Sequence, residues 1–161
     1  MTDTATPRTL SITRHINAPR DIVWRCWTQN DLLQQWYCPK PWRVSEADLD
    51  VRVGGRSAIT MAGPNGEIMP HVGQYLEVID QVSLTFSDAF VGNWVPSDAA
   101  PFMVGFVTLT DNPAGGTDMV WGARHWSDAA TQQHKDMGFE TGWNAAADQL
   151  DALAQGLTSG A

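Results

Sequence analysis

The chain is poor in cysteine and in positive charge, and it has no apolar run of membrane length. Two cysteines in 161 residues are too few for a disulfide framework. Cys26 lies in an apolar helical stretch, where a thiol packs as a small core residue. Cys38 follows Trp36-Tyr37 in a proline-rich loop, and the separation of the two matches neither a CxxC nor a metal-ligand spacing. Ten Lys and Arg stand against eighteen Asp and Glu, a net charge of -8. Such a surface repels phosphate backbones and anionic lipids, which excludes nucleic acid as a partner. No stretch approaches the length of a bilayer span, so no membrane insertion is expected. The N-terminal segment 1–8 lacks the apolar centre of a signal peptide, which predicts a cytoplasmic protein. GxSxG elbows, phosphate-binding glycine loops and a Cys near a predicted His partner are all missing. No catalytic residue, cofactor or metal is therefore assigned.

What is present is one core's worth of apolar residues, 43% of the chain, and eight tryptophans. Leu10, Ile12 and Ile16 alternate with polar residues, so 8–17 reads as a strand. Asn17-Ala18-Pro19 breaks it, and Ile22, Val23, Cys26 and Trp27 then recur at helical spacing. A second short helix starts at Asn30 or Asp31 and ends before Pro39 and Pro41. Strands follow over 43–52, 56–62, 68–79 and 82–86, with turns at Gly54-Gly55, Pro64-Asn65-Gly66 and Asp80-Gln81. The stretch 87–100 is long for a connection, and such loops often act as lids or binding loops. Strands over 102–110 and 117–126 complete the series. Ser127 is a candidate N-cap for one long amphipathic helix that carries Phe139, Trp143, Ala146, Leu150 and Leu153 on one face and stops near Gly156. Antiparallel hairpins plus a terminal helix define an α+β fold.

The ordered set Arg14-His15-Ile16-Asn17-Ala18-Pro19, Trp24/Trp27, Leu33 to Pro39, Asp50 to Gly55, Gly73 to Val78, Gly116-Thr117 and His125…His134 to Phe139…Gly142-Trp143 resembles the SRPBCC (START/Bet v 1-like) superfamily. Within it the chain is similar to the AHSA1-like group, named after the activator of Hsp90 ATPase. The resemblance implies a helix-grip fold: a curved antiparallel sheet around a long C-terminal helix, with two short helices after the first strand. It places a single domain at 8–156, between a flexible N-terminus (1–7) and a flexible C-terminus (157–161). It also implies a cavity between sheet and helix of the kind that binds lipids, sterols or polyketides.

Strand alternation and the helix face select the residues for such a cavity. Met61, Met69, Tyr75, Phe86, Trp121, Phe139 and Trp143, with Trp36, are expected to give an aromatic, soft wall. His71, Tyr75, Glu77 and His125 are the polar groups expected to face inward and orient a guest. His134 lies opposite Trp143 on an ideal helix and is expected on the solvent side unless the helix bends near Gly138 or Gly142. Phe102, Val104 and Phe106 fall on the outer face of a strand whose inner face is also apolar, which predicts a homodimer covering them. The leading expectation is binding of a small hydrophobic molecule without catalysis. The alternatives are an Hsp90-cochaperone-like interaction domain and a small cyclase or hydrolase using the same cavity. The cochaperone alternative ranks lower because the eukaryotic activators carry a further N-terminal domain for which this chain has no room.

Overall fold

A computed structural model describes residues 8–159. The elements run β1 (Thr9–Ile16), α1 (Arg20–Thr28), α2 (Asn30–Leu33), β2 (Arg43–Leu49), β3 (Arg56–Ala62), β4 (Ile68–Ile79), β5 (Ser83–Ser87), β6 (Val104–Asp111), β7 (Thr117–Arg124), α3 (Asp128–Asp136) and α4 (Phe139–Ser159). The seven strands form one antiparallel sheet in the order β1-β7-β6-β5-β4-β3-β2. Strands β2 to β7 thus form a meander in chain order, and β1 joins by pairing with β7. The sheet curls around α4, and α1 and α2 close one end, as a helix-grip fold requires. The expected flexible N-terminus lies outside the described residues.

The alternation in β1 does what its pattern predicts. Ile12 and Ile16 are buried, whereas Ser11, Thr13 and His15 face out. Arg14 shares the inner phase, and its long side chain ties the strand to the helix. The guanidinium donates to the Asn144 carbonyl at 2.9 Å and pairs with Asp148. One turn further along α4, Asp151 accepts from the Asn17 backbone N–H at 2.8 Å. The main core lies between β1, β5–β7, α1 and α4, and includes Trp27, Trp36, Leu84, Val107, Met119, Trp121 and Leu150. A second cluster of Leu33, Cys38, Val44, Ala47 and Ile59 fills the β2–β3 end.

Three expectations about the elements need correction. The terminal helix is two helices. Ser127 does cap the first, accepting from the Ala130 N–H at 3.0 Å, but Gly138 takes φ +89° and ends it. α4 then starts at Phe139 and runs through Gly156 to Ser159, so 157–159 are helical. Strand β6 begins at Val104, leaving Phe102 before it and free to turn. Finally, β4 carries a bulge between Tyr75 and Glu77: Tyr75 pairs with Phe86 and Glu77 with Thr85, leaving Leu76 extra.

Nothing lies within 4 Å of a Cβ built on Gly138 or on Gly142, so backbone conformation alone separates the two sites. Gly138→Ala places a side chain at positive φ and is expected to cost about 1 kcal/mol. Gly142→Ala, inside α4, is expected to add about 0.5–1 kcal/mol. Urea unfolding of the two variants checks the opposite signs.

Candidate functional site

Between the concave face of the sheet and the helices lies a cavity of about 670 Å³. Its floor is aromatic. Trp121 of β7 stacks on Trp143 of α4 with centroids 4.4 Å apart, and Phe139 packs on Trp143 at 4.3 Å. Behind this pair stand Trp27 and Trp36, with Tyr37 beside it in the wall, all joined to Trp121 by edge-to-face or tilted contacts of 5.1 to 6.0 Å. On the sheet side, Phe86 lies over Gly105 of the neighbouring strand, where a Cβ would come within 2.2 Å of the ring. The missing side chain lets Phe86 lie low and keeps the space above it open.

The structure brings Met61, Met69, His71, Phe86, Trp121, Phe139 and Trp143 together in the cavity wall. Met69 and His71 are exposed, so they form its rim. Partial burial pushes the His71 pKa below its usual value against the opposing charge of Asp88. Four expected residues take other places. Trp36 is fully buried behind the wall, with its indole N–H donating to the Cys26 carbonyl at 2.9 Å. Tyr75 is buried against the edge of Phe86, and burial raises its phenol pKa well above the usual value. Glu77 points to solvent because the bulge at Leu76 reverses the phase of the strand beyond it. His125 sits one layer back, against His134 and Phe102.

His134 reverses the expectation. It is 6% exposed and lines the cavity. The break at Gly138 turns α3 relative to α4, so the helical wheel drawn through one continuous helix misplaces it. Its ring lies against Phe102 at 5.1 Å, Phe139 at 5.0 Å and Trp143 at 5.5 Å. His134 Nδ1 is 3.0 Å from His125 Nε2, and His125 Nδ1 is 2.9 Å from the Phe102 carbonyl. Burial, reinforced by the neighbouring His125, lowers the His134 pKa to about 4.

Sequence reasoning also missed Tyr37 and Cys38, which come from the proline-rich loop after α2. Burial raises the Tyr37 pKa to about 12 and also raises that of the Cys38 thiol. Both therefore stay protonated near neutral pH. Phe102 was expected on the outer face and instead lines the cavity. Asp88 makes this possible by accepting from the Phe102 N–H at 2.9 Å and the Met103 N–H at 3.2 Å. The rest of the loop after β5 folds away over the Gly54-Gly55 turn, pinned by Asn93 N–H to the Gly54 carbonyl at 2.8 Å and Trp94 N–H to Gln74 at 2.7 Å. Phe106 does face outward, yet Arg124 lies 4.1 Å above its ring and leaves it 8% exposed. Phe102 and Phe106 thus find cover within the chain, while Val104, the third residue of the expected homodimer face, is half-buried.

A smaller hollow of about 400 Å³ over β2–β4 is walled by Glu46, Asp48, Arg56 and Thr60 among others. Those charged walls do not suit an apolar guest. Among the described residues, no helix is long and apolar enough to cross a membrane, and no cluster of three or more His, Cys, Asp or Glu is assembled.

A curled sheet gripping a C-terminal helix over a largely apolar cavity defines the Bet v 1-like, SRPBCC class of proteins. Within that class the chain belongs to the AHSA1-like family, since residues 17–155 match the model of the "Activator of Hsp90 ATPase homolog 1-like protein". A crystal structure of a protein from Nitrosomonas europaea is similar at 32% identity and a TM-score of 0.89, covering 94% of this chain and 96% of that one. A Mycobacterium smegmatis protein is similar at 30% identity and a TM-score of 0.75, covering 91% and 90%. An AHSA1-like protein from Aeromonas hydrophila shares the fold at 21% identity and a TM-score of 0.68, covering 92% and 93%. No curated protein matches the chain. Members of this fold class commonly bind hydrophobic ligands or serve cochaperone-like roles.

The buried His134 has a direct thermodynamic signature. Its folded pKa, about 4, lies below the usual 6.5, so the unfolded chain binds more protons between these values. The stability it contributes is complete above about pH 6.5, falls as the pH drops towards 4, and levels off below. The loss is at most about 3 kcal/mol. In His134→Phe the decline between pH 6.5 and 4 is expected to be shallower, read from urea midpoints across that range.

Proposed function

We propose that the protein binds a small hydrophobic molecule of lipid, sterol or polyketide type between the sheet and α4. The observation that carries this reading is the cavity of about 670 Å³ walled by Trp121, Trp143, Phe139, Phe86 and Met61. Its size falls within the range of small-molecule sites, and its lining is largely apolar with a few polar groups. Binding energy comes from apolar area removed from water, at about 25 cal/mol per Å² before the costs of ordering. Met61 and Met69 adapt to guests of different outline. We place this activity in the cytoplasm, where the two buried free cysteines remain reduced.

Native mass spectrometry of freshly purified protein, followed by organic extraction, is expected to show an apolar molecule near one per chain. Gly142→Phe is the control. Gly142 lines the cavity and has open space around it, so the ring fills the volume while removing a helical glycine. The variant is expected to fold and to lose the bound molecule. A folded wild type that neither retains an extractable guest nor takes up any apolar probe would overturn the reading.

A protein-interaction role is a second reading, favoured by one surface feature. Val53, Trp94 and Val95 are each about half exposed, and Trp94 lies against Gly54, which joins them into one patch. If this face docks on a chaperone ATPase, Trp94→Ser is expected to abolish stimulation of that ATPase while leaving the cavity's guest in place.

A further inference from the structure

The two buried histidines fix each other's protons. His125 Nδ1 lies 2.9 Å from the Phe102 carbonyl, an oxygen that only accepts, so Nδ1 carries the hydrogen. In the neutral ring His125 Nε2 is then an acceptor. His134 Nδ1, 3.0 Å away, must donate to it. The neutral His134 ring is left with a lone pair on Nε2. The enclosed, unpartnered polar side-chain atoms among the described residues are Thr9 Oγ1, Trp27 Nε1, Gln74 Nε2 and Trp121 Nε1. His134 Nε2 has no hydrogen-bond partner among the described residues either, yet it is not enclosed, so its ring edge opens onto the cavity that His134 lines.

The orientation is held from behind. Asp88 grips the backbone N–H groups of Phe102 and Met103, and Ser87 Oγ donates to the Met103 carbonyl at 3.0 Å. The carbonyl that sets the His125 tautomer is therefore itself fixed. Phe102, Phe139 and Trp143 pack around the His134 ring in edge-to-face contacts.

We propose that the His125–His134 pair presents His134 Nε2 as a preset hydrogen-bond acceptor in an apolar wall, so that the guest is an apolar molecule carrying a hydroxyl or N–H donor. This rests on the ligand-binding reading and narrows its ligand class. A guest with only acceptors, such as an ether or an ester, meets a lone pair there and leaves it unpaired on binding. A guest hydroxyl donates to Nε2, and the burial that keeps the ring neutral preserves that polarity at neutral pH.

The test is a matched pair of flat apolar probes, 2-naphthol and its methyl ether, 2-methoxynaphthalene, titrated against the full chain by quenching of tryptophan fluorescence and by calorimetry. The naphthol is expected to bind about five- to tenfold tighter, since the pair differs by one hydrogen bond in a dry wall. In His134→Phe that advantage should vanish, with the affinity of the ether changed little. Equal binding of both probes to the wild type would overturn the inference and leave the cavity reading standing. An advantage that persists in His134→Phe would overturn it too, by assigning the preference elsewhere. Failure of both probes to bind would remove the cavity reading and this inference with it. Should the variant not fold, long-range proton–nitrogen spectra of the wild type decide. They are expected to show His134 protonated on Nδ1 and bare on Nε2, with only the Nε2 shift moving strongly on addition of naphthol. A protonated Nε2 in the free protein overturns the proposal.

Discussion

The fold turns on the contact between Trp121 and Trp143. One ring comes from the last strand and the other from the last helix, and their stacking at 4.4 Å fixes how closely the sheet wraps α4. Trp27 reaches the same ring from α1, and Trp36 and Tyr37 reach it from the loop after α2. Aromatic pairs of this kind contribute about 0.5–1.5 kcal/mol each beyond the area they bury. More important is their rigidity, with few rotamers and large flat faces. A column so built holds one side of a hollow without needing the other side to be filled. The indole N–H groups of Trp27 and Trp121 are buried in the column and meet no acceptor among the described residues.

Much of the architecture was legible in the residues, because period and punctuation are local properties. The alternation of Leu10, Ile12 and Ile16, the Gly54-Gly55 turn and the Ser127 cap each appear where the pattern puts them. The cavity wall was legible in part for the same reason: Met61, Phe86, Trp121, Phe139 and Trp143 lie in phase with buried neighbours. The errors share one cause. Face assignments assume an unbroken period, and one irregular residue resets everything beyond it. The extra Leu76 turned Glu77 outward, and the left-handed Gly138 turned His134 inward. Nothing local in the sequence announces a bulge, whereas a glycine inside a helical pattern does carry a warning. Phe102 was misplaced differently. It belongs to the segment that Asp88 pulls in, a contact made across fourteen residues of chain.

Charge is used sparingly inside and for position. Arg14 alone sends a guanidinium from the inner phase of β1, and it ends on α4 carbonyl and carboxylate oxygens. Asp88 works similarly, with its charge met by backbone N–H groups rather than by a cation. Both tie a sheet element to what lies over the cavity, so the polar framework and the aromatic column fix the same space from opposite sides. A polar group at the wall is thus presented by the frame.

The break at Gly138 divides the labour of the C-terminal segment. α4 carries Leu150 and Ala154 into the core, which ties that face of the helix to the fold. α3 contributes one buried residue, His134, and otherwise presents a polar surface. In evolutionary terms the two halves are under different constraints, although they meet where His134 packs on Phe139 and Trp143. Substitutions among the nine residues of α3 can reshape its share of the cavity wall, Gln133 and His134, while the gripping helix stays constant, so relatives with superimposable folds are free to differ there.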